Sequence, residues 1–289
     1  AWFADESKLQ PTNRTSLEAE VASFLARNLG FEKAAEGLKF IRRREFLRIA
    51  IGSTLGNLKV RQVAMALSEV TEIYLGSMLI IAGRKSYIDL DVSIVAMGRL
   101  GGQELGFGSD ADVMLVYSDD GPNAQSMAEV LTGEFIGLVK DPILEFELDL
   151  DLRPEGKNGP RIKSLNAYEG YYQKWAETWE FQALLRARPM FGSQGLRDAF
   201  TRLIDKYRYP EELSNKQLVS VRVVKARVEN ERLPKGIVAN RHLKLGPGAI
   251  SDVEWLIQFM QLRYAGNNTE LRSLTTLDTL ASLVNLVHI

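Results

Sequence analysis

Residues 98–117 read GRLGGQELGFGSDADVMLVY, and this stretch decides the fold. It opens at Gly98, passes through a glycine-rich loop as far as Asp110, and ends in DVMLVY (112–117), an apolar run of the kind that forms a strand. Immediately upstream, DVSIVAM (91–97) is a second β-branched run bounded by glycine. The local frame is therefore strand, glycine loop, strand. Asp110 and Asp112 stand two apart where the second strand begins, so their side chains leave the pleat on the same side.

Downstream, residues 124–140 have a helical pattern, and ILEFELDLDL (143–152) alternates apolar and acidic residues with period two. That alternation predicts a strand carrying Glu147, Asp149 and Asp151 on one face. PEGKNGP (154–160) is a loop by composition. Helices are expected over 165–188, 195–207 and 216–232. A short extended piece at 242–245 then leads to Gly246-Pro247-Gly248. Ser251 and Asp252 fit the N-cap or first turn of a helix through Tyr264, and a last helix is expected over 269–288. Upstream, the first ninety residues read as helical. Val60, Val63, Ala64, Leu67, Val70, Tyr74 and Met78 keep helical spacing, and Arg42-Arg43-Arg44 reads as a solvated helix face.

The fold class that follows is α+β and mostly helical, with a small mixed sheet flanked by helices and a C-terminal helical bundle. The expected layout is an N-terminal helical region at 1–88, the sheet-bearing domain at 89–210, and the start of a C-terminal helical domain at 211–289. The chain begins at Ala1 without methionine and stops at 288–289 within a helical pattern, which reads as a fragment of a longer polypeptide.

Composition narrows the chemistry. In 289 residues there is no cysteine and there are two histidines, His242 and His288. Disulfides, thiolate nucleophiles and cysteine-ligated zinc are excluded, and a histidine-based triad is disfavoured. Carboxylates must carry any metal chemistry, which favours a hard cation such as Mg²⁺. Lys plus Arg at 36 nearly balances Asp plus Glu at 37, so bulk charge does not draw the chain to nucleic acid. No apolar run approaches the roughly 20 residues of a membrane span and no signal-peptide core is present, so the expected compartment is the cytoplasm.

Two carboxylates on one strand, Asp110 and Asp112, and one on a neighbour, Asp149, can converge as the oxygen-only set that a Mg²⁺ pair requires beside a phosphate. The glycines ahead of Asp110 allow backbone amides to approach an anion, and Ser109 adds a hydroxyl. Arg153, Arg186 and Arg188 are further phosphate candidates by their planar, two-pronged donors. Asp252 and Glu254, two apart on a helix at about 100° per residue, cannot share a face, and capping is the default for Asp252. Trp175 and Trp179, four apart, read as core.

A strand ending at Gly98, an Asp-x-Asp at the start of the next strand, and a later strand aspartate make the nucleotidyltransferase arrangement. Residues 98–117 closely resemble the signature of the glutamine synthetase adenylyltransferases, bifunctional nitrogen regulators with two nucleotidyltransferase domains. DLDLRPEGKNGP (149–160), TWEFQALLRARP (178–189) and KLGPGAISDVEWLIQFMQLRYA (244–265) agree with that family in order, in the wording of its actinobacterial branch. The resemblance implies AMP transfer from ATP to a tyrosine hydroxyl of glutamine synthetase with release of pyrophosphate. It implies that Asp110, Asp112 and Asp149 bind Mg²⁺, with Asp149 also serving the attacking oxygen. It places phosphates against Gly98, Gly101, Gly102, Gly108 and Ser109, to which the chemistry of its side chain adds Arg153 as a nucleotide-binding candidate. Arg99 stands where the broader motif prefers serine or glycine, and is read as a phosphate contact. ELGFGSD (104–110) and TWEFQAL (178–184) resemble the adenylylating domain of the family and not its adenylyl-removing one. Glutamine and a PII-type signalling protein are the effectors that the resemblance implies for the full-length protein.

Overall fold

The computed structural model describes residues 9–287 except 28, 119–120, 232, 234–235, 237 and 239–240. Both chain ends, and with them His288, lie outside the described residues. In chain order the elements begin with α1 (Arg14–Leu25), α2 (Phe31–Thr54), α3 (Val60–Ser86), β1 (Val92–Ala96), α4 (Gly98–Gly101) and β2 (Ala111–Tyr117). They continue with α5 (Ala124–Val139), β3 (Leu148–Asp149), β4 (Lys163–Ser164), α6 (Leu165–Lys174), α7 (Thr178–Leu184) and β5 (Arg188–Phe191). Then come α8 (Gln194–Arg208), α9 (Asn215–Glu231), α10 (Ile250–Tyr264) and α11 (Thr276–Val287). The structure is 62% helical, and its α+β class with a small sheet among helices is the expected one.

The chain divides into two compact units, one running to Tyr168 and adding Arg188–Phe200, the other made of Glu169–Ala187 and the residues from Thr201 onward. The first unit holds the sheet. Its order is β3-β2-β1-β5, with β4 also beside β2. β1 is antiparallel to β2 and β5, whereas β2 is parallel to β3 and β4, so the sheet is mixed. All five residues of β1 and the last five of β2 are buried, which is why these strands read as continuous apolar runs. Apart from Ser93, whose hydroxyl donates to the Phe191 carbonyl at 2.8 Å, and Tyr117, the polar residues of these two strands stand where β2 begins.

Helix α3 lies at the centre of this unit. It is 27 residues long with a window of mean hydropathy 1.4, enough by length and composition to cross a membrane. The expectation that no run approaches a span is corrected by it. Yet 72% of that window is buried against the rest of the unit, as the core helix of a folded domain is.

Four further expectations are corrected. Residues 143–152, expected as one strand, form a ladder only at Leu148–Asp149. Leu144, Phe146 and Leu148 do pack onto the core, so the alternation is real. What is lacking among the described residues is a partner strand for 143–146, and alternation reports burial of one face, not pairing. The expected helix over 165–188 ends at Lys174, resumes at Thr178, and gives way to β5 at Arg188. Residues 242–245 form a turn and not an extended piece. Trp175, expected in a core, is 74% exposed at the break between α6 and α7, while Trp179 is half-buried with its indole N–H on Glu177.

The arginine cluster is one more correction. Arg42 is buried, its guanidinium 4.6 and 4.5 Å from the ring centres of Phe46 and Phe146. It donates to the Leu144 carbonyl at 3.1 Å, and Arg43 donates to buried Asp141 at 2.9 Å. Arg44 grips Glu20 through two bonds of 2.6 and 2.7 Å. The cluster ties α2 to the α5–β3 connection and to α1.

The second unit is helical and has its own core, built on Leu185, Tyr209, Leu213, Val221, Leu262, Ala265 and Leu271. Within it Arg186 donates to the Leu274 carbonyl at 2.8 Å and to Thr276, so its guanidinium joins α7 to the start of α11.

Candidate active site

The first unit brings three of the sequence-predicted acids together. β2 and β3 run parallel with Asp112 directly opposite Asp149, and the Ala111 amide donates to the Glu147 carbonyl at 2.9 Å to hold that register. Asp110 lies two residues before Asp112, on the same side. One carboxylate oxygen from each of Asp110, Asp112 and Asp149 lies within 4.8 Å of the others. Asp110 is exposed and the other two are half-buried, so the cluster is open to solvent at the strand ends. Among the described residues, neither Asp110 nor Asp149 is paired with a lysine or arginine. Asp149 accepts only the Asp151 amide, at 2.6 Å. Three mutually close carboxylates repel one another at neutral pH unless a cation enters. An all-oxygen set of this kind suits a hard divalent ion.

Glycine 98 makes room for this cluster. The Met97 amide donates to the Asp112 carbonyl at 2.9 Å, which brings the next residue beside the Asp112 side chain. Gly98 has φ +50°, and a Cβ there would stand 2.2 Å from Asp112 Oδ2. Any other residue would both strain the backbone and displace the carboxylate. The motif glycine thus serves the acid before it serves any phosphate.

The loop after Gly98 is wound tightly. The Gly101 and Gly102 amides donate to the carbonyls of Met97 and Gly98, at 2.7 and 3.2 Å, so both are committed to the α4 turn. The turn closes as a Schellman motif. The Gln103 amide reaches Leu100 at 3.1 Å and the Glu104 amide reaches Arg99 at 2.8 Å, with Gln103 left-handed at φ 55°. The Leu105 amide then donates to Ser68 of α3 at 3.4 Å. Ser109 is engaged within its own turn, its hydroxyl accepting from the Gly106 amide at 3.0 Å. A Cβ on Gly108 would meet nothing within 4 Å, so the tip of the loop is open. Arg99 is half-buried at the start of the turn.

Other candidates fall outside the cluster. Arg153 is buried and points into its own loop, donating to the carbonyls of Leu150, Gly159 and Pro160 at 2.8, 3.3 and 3.1 Å. It staples residues 150–160, so its guanidinium is engaged within the loop and not turned to the acid cluster. Asp151 faces Lys157 at 3.2 Å instead of its neighbour acids. In the second unit, Asp252 accepts from Lys225 at 2.5 Å and from the Gly248 amide at 2.7 Å. Those two bonds hold its carboxyl below the usual aspartate value and tie α10 to α9 and to the preceding loop. Glu254 is half-buried, two residues further along the same helix.

Arg188 is found elsewhere than on a phosphate-facing helix. It lies on β5 opposite Ala96, and its guanidinium reaches under the glycine turn. Residues that the sequence reading missed stand with it: Glu72 and Ser68, four apart on α3 and both buried. A serine and a glutamate at i and i+4 within a core helix are the signal that could have marked them.

Comparison with known proteins agrees with this geometry. Residues 2–203 match the family model described as glutamate-ammonia ligase adenylyltransferase. A protein from Leifsonia xyli subsp. xyli, named bifunctional glutamine synthetase adenylyltransferase/adenylyl-removing enzyme, is 44% identical over 97% of this chain. Proteins of the same name from Cutibacterium acnes and Mycobacterium tuberculosis are each 39% identical, over 95% and 94% of the chain. The chain spans 28%, 28% and 29% of the length of these three relatives. With its match over residues 2–203 the chain belongs to the glutamate-ammonia ligase adenylyltransferase family.

Proposed function

We propose that this chain carries a Mg²⁺-dependent nucleotidyl-transfer site that moves AMP from ATP to a tyrosine hydroxyl of glutamine synthetase, releasing pyrophosphate. The observation that supports it is the convergence of Asp110, Asp112 and Asp149 within 4.8 Å beside a glycine whose Cβ would collide with one of them. These three carboxylates would hold the metal. Bound there, Mg²⁺ supplies alignment of the α-phosphate and neutralisation of the charge that develops on the leaving group. Asp110, the most exposed of the three, stands at the mouth of the cluster. Asp149, held by the Asp151 amide, would orient the attacking hydroxyl and receive its proton. The open tip at Gly108 and the hydroxyl of Ser109 offer approach to phosphate oxygens, and Arg99 offers a cation at the other end of the loop. With the Gly101 and Gly102 amides bonded inside the α4 turn, those outer positions are the ones this reading assigns to phosphate recognition.

The direction of the reaction rests on the ELGFGSD wording at 104–110, which resembles the adenylylating domain of the family. The second reading is the adenylyl-removing activity that the relatives' shared name also contains, with phosphate attacking an AMP-tyrosine. A non-catalytic nucleotide-sensing module is the third, and the joint presence of all three acids speaks against it. Glutamine and a PII-type protein belong to the proposal as effectors of a longer protein. The test is to incubate the chain and Mg²⁺ with unmodified glutamine synthetase and ATP, and separately with the adenylylated form and phosphate. A mass gain of one AMP per modified subunit in the first mixture is the expected result. Reaction in the second mixture alone reverses the assignment, and reaction in neither leaves the sensing module.

A further inference from the structure

A chain of charged contacts beneath the glycine turn has no part in the chemistry above. Glu72 lies in the core helix α3 with its carboxylate almost wholly buried. It is gripped from both sides: Arg14 of α1 donates to one oxygen at 2.8 Å, and Arg188 of β5 donates to the other. Arg188 also reaches the turn itself. Its Nε reaches the Gly101 carbonyl at 3.0 Å, and its Nη2 reaches the Leu100 carbonyl at 3.1 Å. Both carbonyls lie at the end of α4, the four-residue turn that begins at Gly98, and that of Leu100 also accepts the Gln103 amide. The same α3 face supplies Ser68, which takes the Leu105 amide. A buried ion pair costs desolvation, and an apolar replacement often serves stability as well. Its retention under this turn therefore calls for a task that apolar packing cannot perform. A planar fork fixed by a buried carboxylate sets direction as well as distance, which a point charge does not.

We propose that Arg188 is a positioning residue of the nucleotidyl-transfer site. Oriented by Glu72, it clamps the Leu100 and Gly101 carbonyls and so holds Gly98 at the clearance that Asp112 needs. This rests on the metal reading above and adds to it the device that keeps one ligand in place. Partners hydrogen-bonded directly to a metal ligand typically govern about 10- to 100-fold of metal affinity; Arg188 acts on Asp112 through the backbone of the turn, so the lower end of that range is expected.

The experiment measures Mn²⁺ binding to the 289-residue chain by loss of the free-ion electron paramagnetic resonance signal, alongside thermal melting. The variants are Arg188→Met, Arg188→Lys and, as reference, Asp112→Asn. Arg188→Lys keeps a cation for Glu72 but loses the fork. The expected result is Mn²⁺ affinity weakened about tenfold in both Arg188 variants, with Arg188→Lys melting close to the parent chain. Wild-type affinity in Arg188→Lys would show that Glu72 needs only a charge, and overturns the proposal even if Arg188→Met fails to fold. Unchanged affinity in both Arg188 variants, with binding lost in Asp112→Asn, overturns the positioning role and leaves the metal reading standing. Unchanged affinity in Asp112→Asn removes the metal reading and the clamp together.

Discussion

Two carboxylate settings in the same unit have opposite designs. Asp141 is buried and met by Arg42, Arg43 and the amides of Ile143 and Leu144, so its charge is answered within the chain. Asp110, Asp112 and Asp149 are left facing one another at the solvent-open ends of two strands. The first setting fastens α2 to the α5–β3 connection. The second stores repulsion that a cation relieves. A carboxylate that is surrounded by its own cations builds structure, and carboxylates turned toward one another build a site.

The sharpest way to break this contrast is to remove one acid of each kind. Asp112→Asn should lower AMP transfer about a thousandfold, the loss of several kcal/mol of charge stabilisation at 1.4 kcal/mol per decade. Its melting temperature should stay near that of the parent chain, because relieving repulsion offsets any lost contact. Asp110→Asn should behave alike. Steady-state rates and melting curves on the same preparations check both, and a rate within tenfold of the parent would remove the distinction.

Asp141→Asn should show the reverse. Breaking a buried ion pair leaves Arg42 and Arg43 without their counter-charge, at a cost of about 3 kcal/mol. For a unit of this size that is a fall of roughly 6–12 °C in melting temperature. Activity per folded molecule at low temperature should be retained, which denaturant titration with parallel assays would test.

The smallest effect sharpens the comparison through pH. Burial pushes the Asp141 carboxyl up, but the Arg43 guanidinium and the Ile143 and Leu144 amides outweigh it and hold the group below its ordinary 3.8. A depressed folded value means that its stabilisation is complete above the ordinary value and is lost as pH falls through the folded one. The stability gap between the parent chain and Asp141→Asn should therefore be constant from about pH 7 to pH 5 and shrink below about pH 4. A gap that closes already at pH 6 would assign the effect to another group.

How far the fold was legible depended on what each residue pattern reports. β1, β2 and α5 were readable within a few residues, and the helical character of α2 and α3 without their ends, because each buries a continuous or periodic apolar set. The alternation at 143–152 was just as clear, yet it reported only which side chains turn inward. Whether a neighbouring strand stands beside the backbone is a matter of topology, and among the described residues no strand is laddered to 143–146. Arg42-Arg43-Arg44 looked like a solvated face because, apart from the neighbouring Glu45, the acids that answer it, Glu20 and Asp141, lie far away in the chain. Arg153 looked like a phosphate contact for the same reason, since the carbonyls it binds become neighbours only when its loop closes.

What the sequence by itself determined was local. Glycine at 98, acids at 110 and 112 with strand spacing, and a third acid at 149 in an extended segment follow from residue type and period two. Only the tertiary structure decided that Asp149 stands opposite Asp112, because parallel register is set by the packing of elements and not by either strand. It alone decided that Gly98 is needed for the space beside Asp112. It also turned Arg188, a phosphate candidate by its chemistry, toward Glu72 and the turn. An arginine donates to whichever acceptors the fold brings within about 3 Å, and those acceptors are 87 and 116 residues away in sequence.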